Sequence, residues 1–156
     1  MNNMIYWRDN ILYEIIDGVL RREVPRTNGV ARHWHANGIL AKEMNLANGL
    51  GSGVSREWHD NGQLARECTY NRGEVDGIVR QWNRAGKLLG EYEMKMGFGI
   101  ERRWHEDGTL KDEMEKLTEN AIKGKVWDDL GKVHEVFLWN GKPISKKKFY
   151  EKLSKK

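Results

Sequence analysis

The sequence predicts a mainly β protein: an elongated antiparallel meander of stacked β-hairpins, repeating about every 23 residues, with a short capping helix at its C-terminal end. Three observations predict it. Trp residues fall at 34, 58, 82, 104 and 127, in steps of 24, 24, 22 and 23, and a Gly follows each one four residues later. A Gly-centred breaker interrupts the chain every ten residues or so, which leaves no room for long helices. Seven Trp and seventeen Gly in 156 residues, with 38% hydrophobic residues and a mean hydropathy of −0.80, describe a thin, turn-rich structure rather than a deep core.

Taken in chain order, residues 1–28 read as a degenerate cap repeat. A turn at Asp9-Asn10 sets Trp7 against Leu12, and a second turn follows at Asp17-Gly18. Residues 29–141 hold about five hairpins. Each Trp is followed six residues later by Leu40, Leu64, Leu88, Leu110 or Val133. Arg32, Arg56, Arg80 and Arg102 stand two before the first four Trp, and Glu43, Glu67, Glu91 and Glu113 close those units. Asn37-Gly38, Asn61-Gly62 and Asp107-Gly108 suit two-residue turns, but Ala85-Gly86 and Leu130-Gly131 do not, because Ala and Leu resist positive φ. A three-residue loop with Gly in the left-handed region serves all five. It pairs each Trp with its aliphatic residue on one face. The competing two-residue loop pairs each Arg with its Glu and sends Trp and Leu to opposite faces. Burial outweighs surface ion pairs of about 0–1 kcal/mol each, so the Trp–aliphatic register is expected, with the Trp row as the packing stripe.

Residues 142–156 change pattern. Ser145 is placed to cap a helix, with Ile144 before it and Phe149 four after it as a hydrophobic staple. Phe149 and Leu153 then recur at helical spacing, and the helix would close one end of the sheet. The whole chain, 1–156, is expected to be a single repeat domain.

The unit G-x-x-R-x-W-(H)-x-(N/D)-G-x-L-x-x-E resembles the bacterial MORN-repeat variant, and most of all the antitoxin-associated family of short MORN-like repeat proteins. The resemblance covers residues 29–141. It implies a twisted meander of stacked hairpins and protein partners or, in the wider MORN group, phospholipids. For some members it implies neutralisation of a toxin encoded nearby. The Tyr-x-Gly opening of the classical MORN unit is missing here, and in the fifth unit Gly124 stands three before Trp127 instead of five.

Charge and chemistry narrow the function classes. The net charge is +4, but residues 142–156 alone carry +6, so the rest of the chain is at −2. A basic tail on a near-neutral body does not predict nucleic-acid binding. Cys68 is the single cysteine, which fits a reducing, cytoplasmic setting, and the first ten residues lack the pattern of a signal peptide. His35, His59 and His105 follow their Trp at equivalent positions. Successive hairpins lie about 10 Å apart, too far for two such histidines to share a metal. His33 and His35 have no evident third ligand. No catalytic residue, metal site or cofactor is expected: the glutamates are periodic, Cys68 has no dedicated base, and "NGLGSGVSRE" reads as a link between hairpins.

A non-enzymatic protein-binding role follows. Trp34, Trp58, Trp82, Trp104, Trp127, Arg32, Arg56, Arg80 and Arg102 are the candidate contacts, since Trp and Arg dominate interface hot spots. A membrane-surface module using Lys146, Lys147, Lys148, Lys152, Lys155 and Lys156 is the first alternative. An assembly scaffold that pairs edge to edge is the second.

Overall fold

In the computed structural model, which describes residues 3–155, fifteen strands form one antiparallel sheet closed at one end by a single helix. The strands run β1 Asn3–Arg8, β2 Ile11–Ile16, β3 Val19–Pro25, β4 Gly29–Trp34, β5 Leu40–Ala47, β6 Leu50–Trp58, β7 Leu64–Asn71, β8 Glu74–Val75, β9 Gly77–Trp82, β10 Leu88–Lys95, β11 Phe98–Trp104, β12 Leu110–Thr118, β13 Ala121–Trp127, β14 Val133–Trp139 and β15 Lys142–Pro143. The helix α1 covers Lys146–Leu153. Spatial order follows chain order, except that the two-residue β8 hangs off β7 and β7 pairs onward with β9. The mainly β meander with a C-terminal helix is therefore the architecture that the repeat predicts.

Two kinds of turn alternate. At the hairpin tips, His35 N–H donates to the Ile39 carbonyl and Gly38 N–H to the His35 carbonyl, which makes a three-residue loop. The same pair of bonds recurs at 59–63, 83–87, 105–109 and 128–132. In each loop the Gly alone takes positive φ, from 75° to 95°. Four of the linking turns, at Asn48-Gly49, Arg72-Gly73, Met96-Gly97 and Asn140-Gly141, have positive φ at both residues. These are two-residue turns whose twist matches that of the strands.

The tip loops also explain a substitution pattern. Where the middle loop residue is Asn37, Asn61 or Asp107, its Oδ1 accepts the N–H two residues on. Ala85 and Leu130 cannot do this. In those two units the residue after Trp is Asn83 or Asp128, and its Oδ1 accepts from the loop instead.

The register corrects one expectation. Trp34↔Leu40, Trp58↔Leu64, Trp82↔Leu88, Trp104↔Leu110 and Trp127↔Val133 all pair as predicted. Yet Arg32↔Glu43, Arg56↔Glu67, Arg80↔Glu91 and Arg102↔Glu113 pair as well. The two registers do not compete. One extra residue on the second strand of each of these hairpins shifts the pairing between Trp and Arg, a bulge that satisfies both sets. The fifth hairpin, β13–β14, pairs without a shift.

A second correction concerns the core. The five repeat Trp residues are half-buried, and the fully buried side chains lie elsewhere. Ala31, Ser55 and Val79, each three before a Trp, are buried opposite Met44, Cys68 and Tyr92. Ala31 faces the larger Met44 and Val79 the larger Tyr92, while Ser55 and Cys68 are two small residues face to face. Cys68, Val79 and Tyr92 form a cluster over which Tyr70, Val75, Met94 and Trp104 pack. A Cβ at Gly90 would overlap the Trp104 indole, and that ring lies 6.3 Å from Tyr92. Trp104 thus reaches back onto the preceding hairpin. In this way a single sheet buries one face without a second layer.

At the far end Ser145 caps α1 by accepting the Lys148 N–H, and Phe149 is fully buried, with its ring 5.3 Å from Phe137 and 6.4 Å from Trp139. No helix among the described residues is long and apolar enough to cross a membrane.

Candidate functional site: the outer face of the sheet

Outside the bulges, directly opposed residues in a sheet share a face and successive residues alternate. Ala31, Ser55 and Val79 therefore define an inner, buried face. Arg32, Arg56 and Arg80 belong to the outer one. Following the pairs strand by strand gives a row that crosses the sheet: Tyr6–Tyr13–Glu23–Arg32–Glu43–Arg56–Glu67–Arg80–Glu91, then Arg102–Glu113–Lys125–Glu135. From Glu23 onward the charges alternate in sign. Within the hairpins the Arg Nε donates to the Glu Oε2 at 2.9, 2.8, 3.1 and 2.8 Å. The four predicted arginines are thus brought into one line, each held side-on by a carboxylate and still partly exposed. Each pair adds only about 0–1 kcal/mol. The chemical result is a surface that is polar but locally neutral.

Two residues before each of these arginines stand Val30, Val54, Ile78 and Ile100, on the same face as the ladder. Val54, Ile78 and Ile100 are 40%, 45% and 38% exposed. They recur on alternate strands in a row parallel to the charged one, with Asn45, Thr69 and Glu93 between them. The reading of the sequence did not single them out. The signal was present: a β-branched residue at one offset in four consecutive units. The indoles concealed it, because they took the role of packing stripe.

Near the C-terminus α1 turns the outer face into a groove. Ile100, Phe137 and Tyr150 wall it, with Glu113, Lys123, Lys125 and Glu135 around them, and its volume is about 270 Å³. A larger cleft of about 900 Å³ lies at the tips, between the fourth and fifth loops. Trp127 and Leu110 line it beside Glu106, Asp107, Asp128 and Asp129. Trp127 thus lines a cleft at the tips and Arg32 a smaller hollow beside Glu23 and Pro25, whereas Trp104 is engaged in packing.

The tip histidines have a structural task. His35 Nε2 lies 2.8 Å from the Trp58 carbonyl and His59 Nε2 2.9 Å from that of Trp82, while Asn37, Asn61 and Asn83 donate to the carbonyls of Asp60, Arg84 and Glu106. Each of the first three loops is stitched to the next one about 23 residues on. On the opposite margin Gly49, Gly73 and Gly97 donate backbone N–H to Thr27, Gly51 and Val75. Both margins of the ribbon are therefore fastened. Among the described residues no group of three His, Cys, Asp or Glu side chains is placed to hold a metal ion.

On the inner face, Arg66 donates to the Cys68 Sγ at 3.2 Å. Burial pushes the Cys68 thiol up, although the Arg66 guanidinium opposes this. Burial likewise raises Tyr92, whose hydroxyl is enclosed beside Arg66 and Gln81 without a well-formed hydrogen bond. A protonated, enclosed thiol is a packing group rather than a nucleophile.

The basic tail is only in part a free patch. Lys146 bonds Glu135 at 2.9 Å and lies 5.7 Å from the Phe137 ring centroid, and Lys152 lies 5.2 Å from that of Trp139. Lys147, Lys148 and Lys155 are exposed, and Lys156 lies outside the described residues. Two of the six lysines are drawn onto the protein's own sheet.

Comparison with known families fits this geometry. The MORN repeat variant model matches residues 27–48 and 52–72, the first two of the Trp-centred units. No curated protein matches the chain. MORN repeats are in general binding modules for proteins or membranes, and the match covers two of the five Trp-centred units.

Proposed function

We propose that the protein is a non-enzymatic binding module that docks a protein partner across several hairpins on its outer face. The observation that carries this is the aliphatic row of Val54, Ile78 and Ile100, exposed alongside a charge ladder that cancels itself. Exposed aliphatics that recur on alternate strands, with Thr69 and Glu93 between them, offer a partner evenly spaced apolar contacts on a polar face. Neutralising its own charges leaves the face with little long-range steering, so shape complementarity sets the choice of partner. The groove between Ile100, Phe137 and Tyr150 would anchor one bulky side chain of the partner. The arginines, already oriented by their glutamates, would contribute hydrogen bonds at low ordering cost. A toxin encoded nearby, bound in the cytoplasm and neutralised by covering its working surface, is the specific partner that the family resemblance implies. The engagement of Lys146 and Lys152 on the sheet argues against the tail as a membrane anchor.

The test is capture of the partner from native extract by the protein and by outer-face variants. Ile78→Asp and Ile100→Asp should lose the captured protein while keeping the native circular dichroism spectrum. Deletion of the last lysines should leave capture unchanged. Capture that survives both outer-face variants would refute the assignment.

A further inference from the structure

We propose that two copies of the chain pair through β1, antiparallel and centred on Ile5, into a closed dimer with one continuous sheet. The two ends of the meander differ. At one end the last strand, β15, has two residues, one of them Pro143, which has no N–H to offer; α1 follows directly and packs against β14. Short edges carrying Pro and covered by a helix do not recruit other strands. At the other end β1 is six residues long, and all six are exposed: Met4 58%, Ile5 61%, Tyr6 37% and Trp7 53%. Among the described residues nothing lies on its free side, and Asn3–Trp7 contains no charged side chain to deter a partner strand.

The turn that follows β1 fixes which backbone groups are free. Asp9 and Asn10 both have positive φ, and Arg8↔Ile11 flank them, so Arg8 and Ile11 are the hydrogen-bonded pair that closes a two-residue turn. Hydrogen-bonded and non-hydrogen-bonded pairs alternate along an antiparallel ladder. Arg8, Tyr6 and Met4 therefore direct their N–H and C=O groups to β2. Trp7, Ile5 and Asn3 direct theirs outward.

A two-fold axis normal to the sheet is the operation that pairs a strand antiparallel with its own copy and keeps each face continuous. It requires one residue to face itself. Centred on Ile5, it uses all three outward residues: Asn3 meets Trp7 of the second copy, Ile5 meets Ile5, and Trp7 meets Asn3. Met4 then stands opposite Tyr6 of the second copy on the outer face, next to the Tyr6–Tyr13 stack of 5.3 Å. Centred on Tyr6, the axis would use only Ile5 and Trp7. At the other edge β15 pairs only with Leu138 and Trp139, but the rest of β14 carries the exposed His134 and Glu135, which deter a partner strand, so growth stops at two copies.

Sedimentation velocity of the full chain tests this. The native protein should sediment at twice the chain mass of 18.2 kDa, shifting toward the chain mass on dilution. Ile5→Lys sets two ammonium groups face to face. Ile5→Pro removes an outward donor that β2 does not use. Both should sediment as single chains with unchanged circular dichroism, and Val54→Lys should remain a dimer. The Met4→Cys/Tyr6→Cys double variant should form interchain disulfides on mild oxidation, since non-hydrogen-bonded partners lie about 4.5 Å apart, within disulfide reach. Either single variant should not. A native protein that stays at chain mass from micromolar to millimolar concentration would overturn the proposal. So would a dimer indifferent to both Ile5 variants, species larger than two chains, or cross-linking by Tyr6→Cys alone.

Discussion

The inner and outer faces of the sheet are written with the same repeat and do opposite things. On the inner face opposed side chains are buried or half-buried together: Ala31 with Met44, Ser55 with Cys68, Val79 with Tyr92. On the outer face the aliphatics of the same strands stay in water, and the charges pair off along a line. One residue of chain separates the two: Val54 from Ser55, Ile78 from Val79. The difference teaches that a single-layer repeat needs one face for stability and can leave the other for recognition.

The comparison can be broken at its strongest point first. Phe149→Ala removes the side chain that fixes α1 to β14, and it should cost about 3–5 kcal/mol in urea unfolding. A loss under about 1 kcal/mol would mean that α1 is not a structural cap. Gly90→Val comes next: its side chain would displace the Trp104 indole from the inner cluster, at about 1–3 kcal/mol. Its near-ultraviolet circular dichroism should change as the indole moves, and an unaltered spectrum would contradict the packing described. Asn61→Ala removes one stitch between loops and should cost about 1 kcal/mol. Arg80→Met should cost least, about 0–1 kcal/mol, because Arg80 and Glu91 are exposed partners within a longer row.

The faces should also differ in their response to pH. Burial, with Arg22 and Lys42 adding repulsion, holds the His33 imidazole below its ordinary value of 6.5. The unfolded chain therefore takes up the proton first as the medium is acidified. The His33 contribution to stability is whole above pH 6.5 and is lost as pH falls from there through the folded-state value. His33→Gln should flatten that part of the stability–pH curve. An unchanged slope would show that the imidazole is as free to protonate as in the unfolded chain.

Much of the fold was legible because turns and spacing are local. The three-residue loops follow from Ala85 and Leu130, which disfavour positive φ, and the Ser145 cap follows from the residues around it. The coexistence of Trp–Leu and Arg–Glu pairing was not legible in the same way. A bulge adds one residue to one strand and leaves no letter of its own, so two patterns that share a hairpin looked like rivals. The inner row was hidden for a different reason. Ala31, Ser55 and Val79 share no common residue type from unit to unit, whereas Trp recurs in every one. Half-buried Trp was therefore read as the packing stripe, and the fully buried small residues three positions earlier went unmarked. The aliphatic row at Val54, Ile78 and Ile100 was masked for the same reason.

The most direct measurement places two adjacent residues side by side. Ile78→Asp and Val79→Asp introduce the same carboxylate one position apart, and each is read by urea unfolding. Ile78 faces water and Val79 is fully buried. Val79→Asp should therefore destabilise the protein by more than about 3 kcal/mol, and Ile78→Asp by no more than about 1.5 kcal/mol, since Glu93 stands opposite it. Equal losses at the two positions, or the reverse order, would contradict the division of the sheet into a packing face and a recognition face.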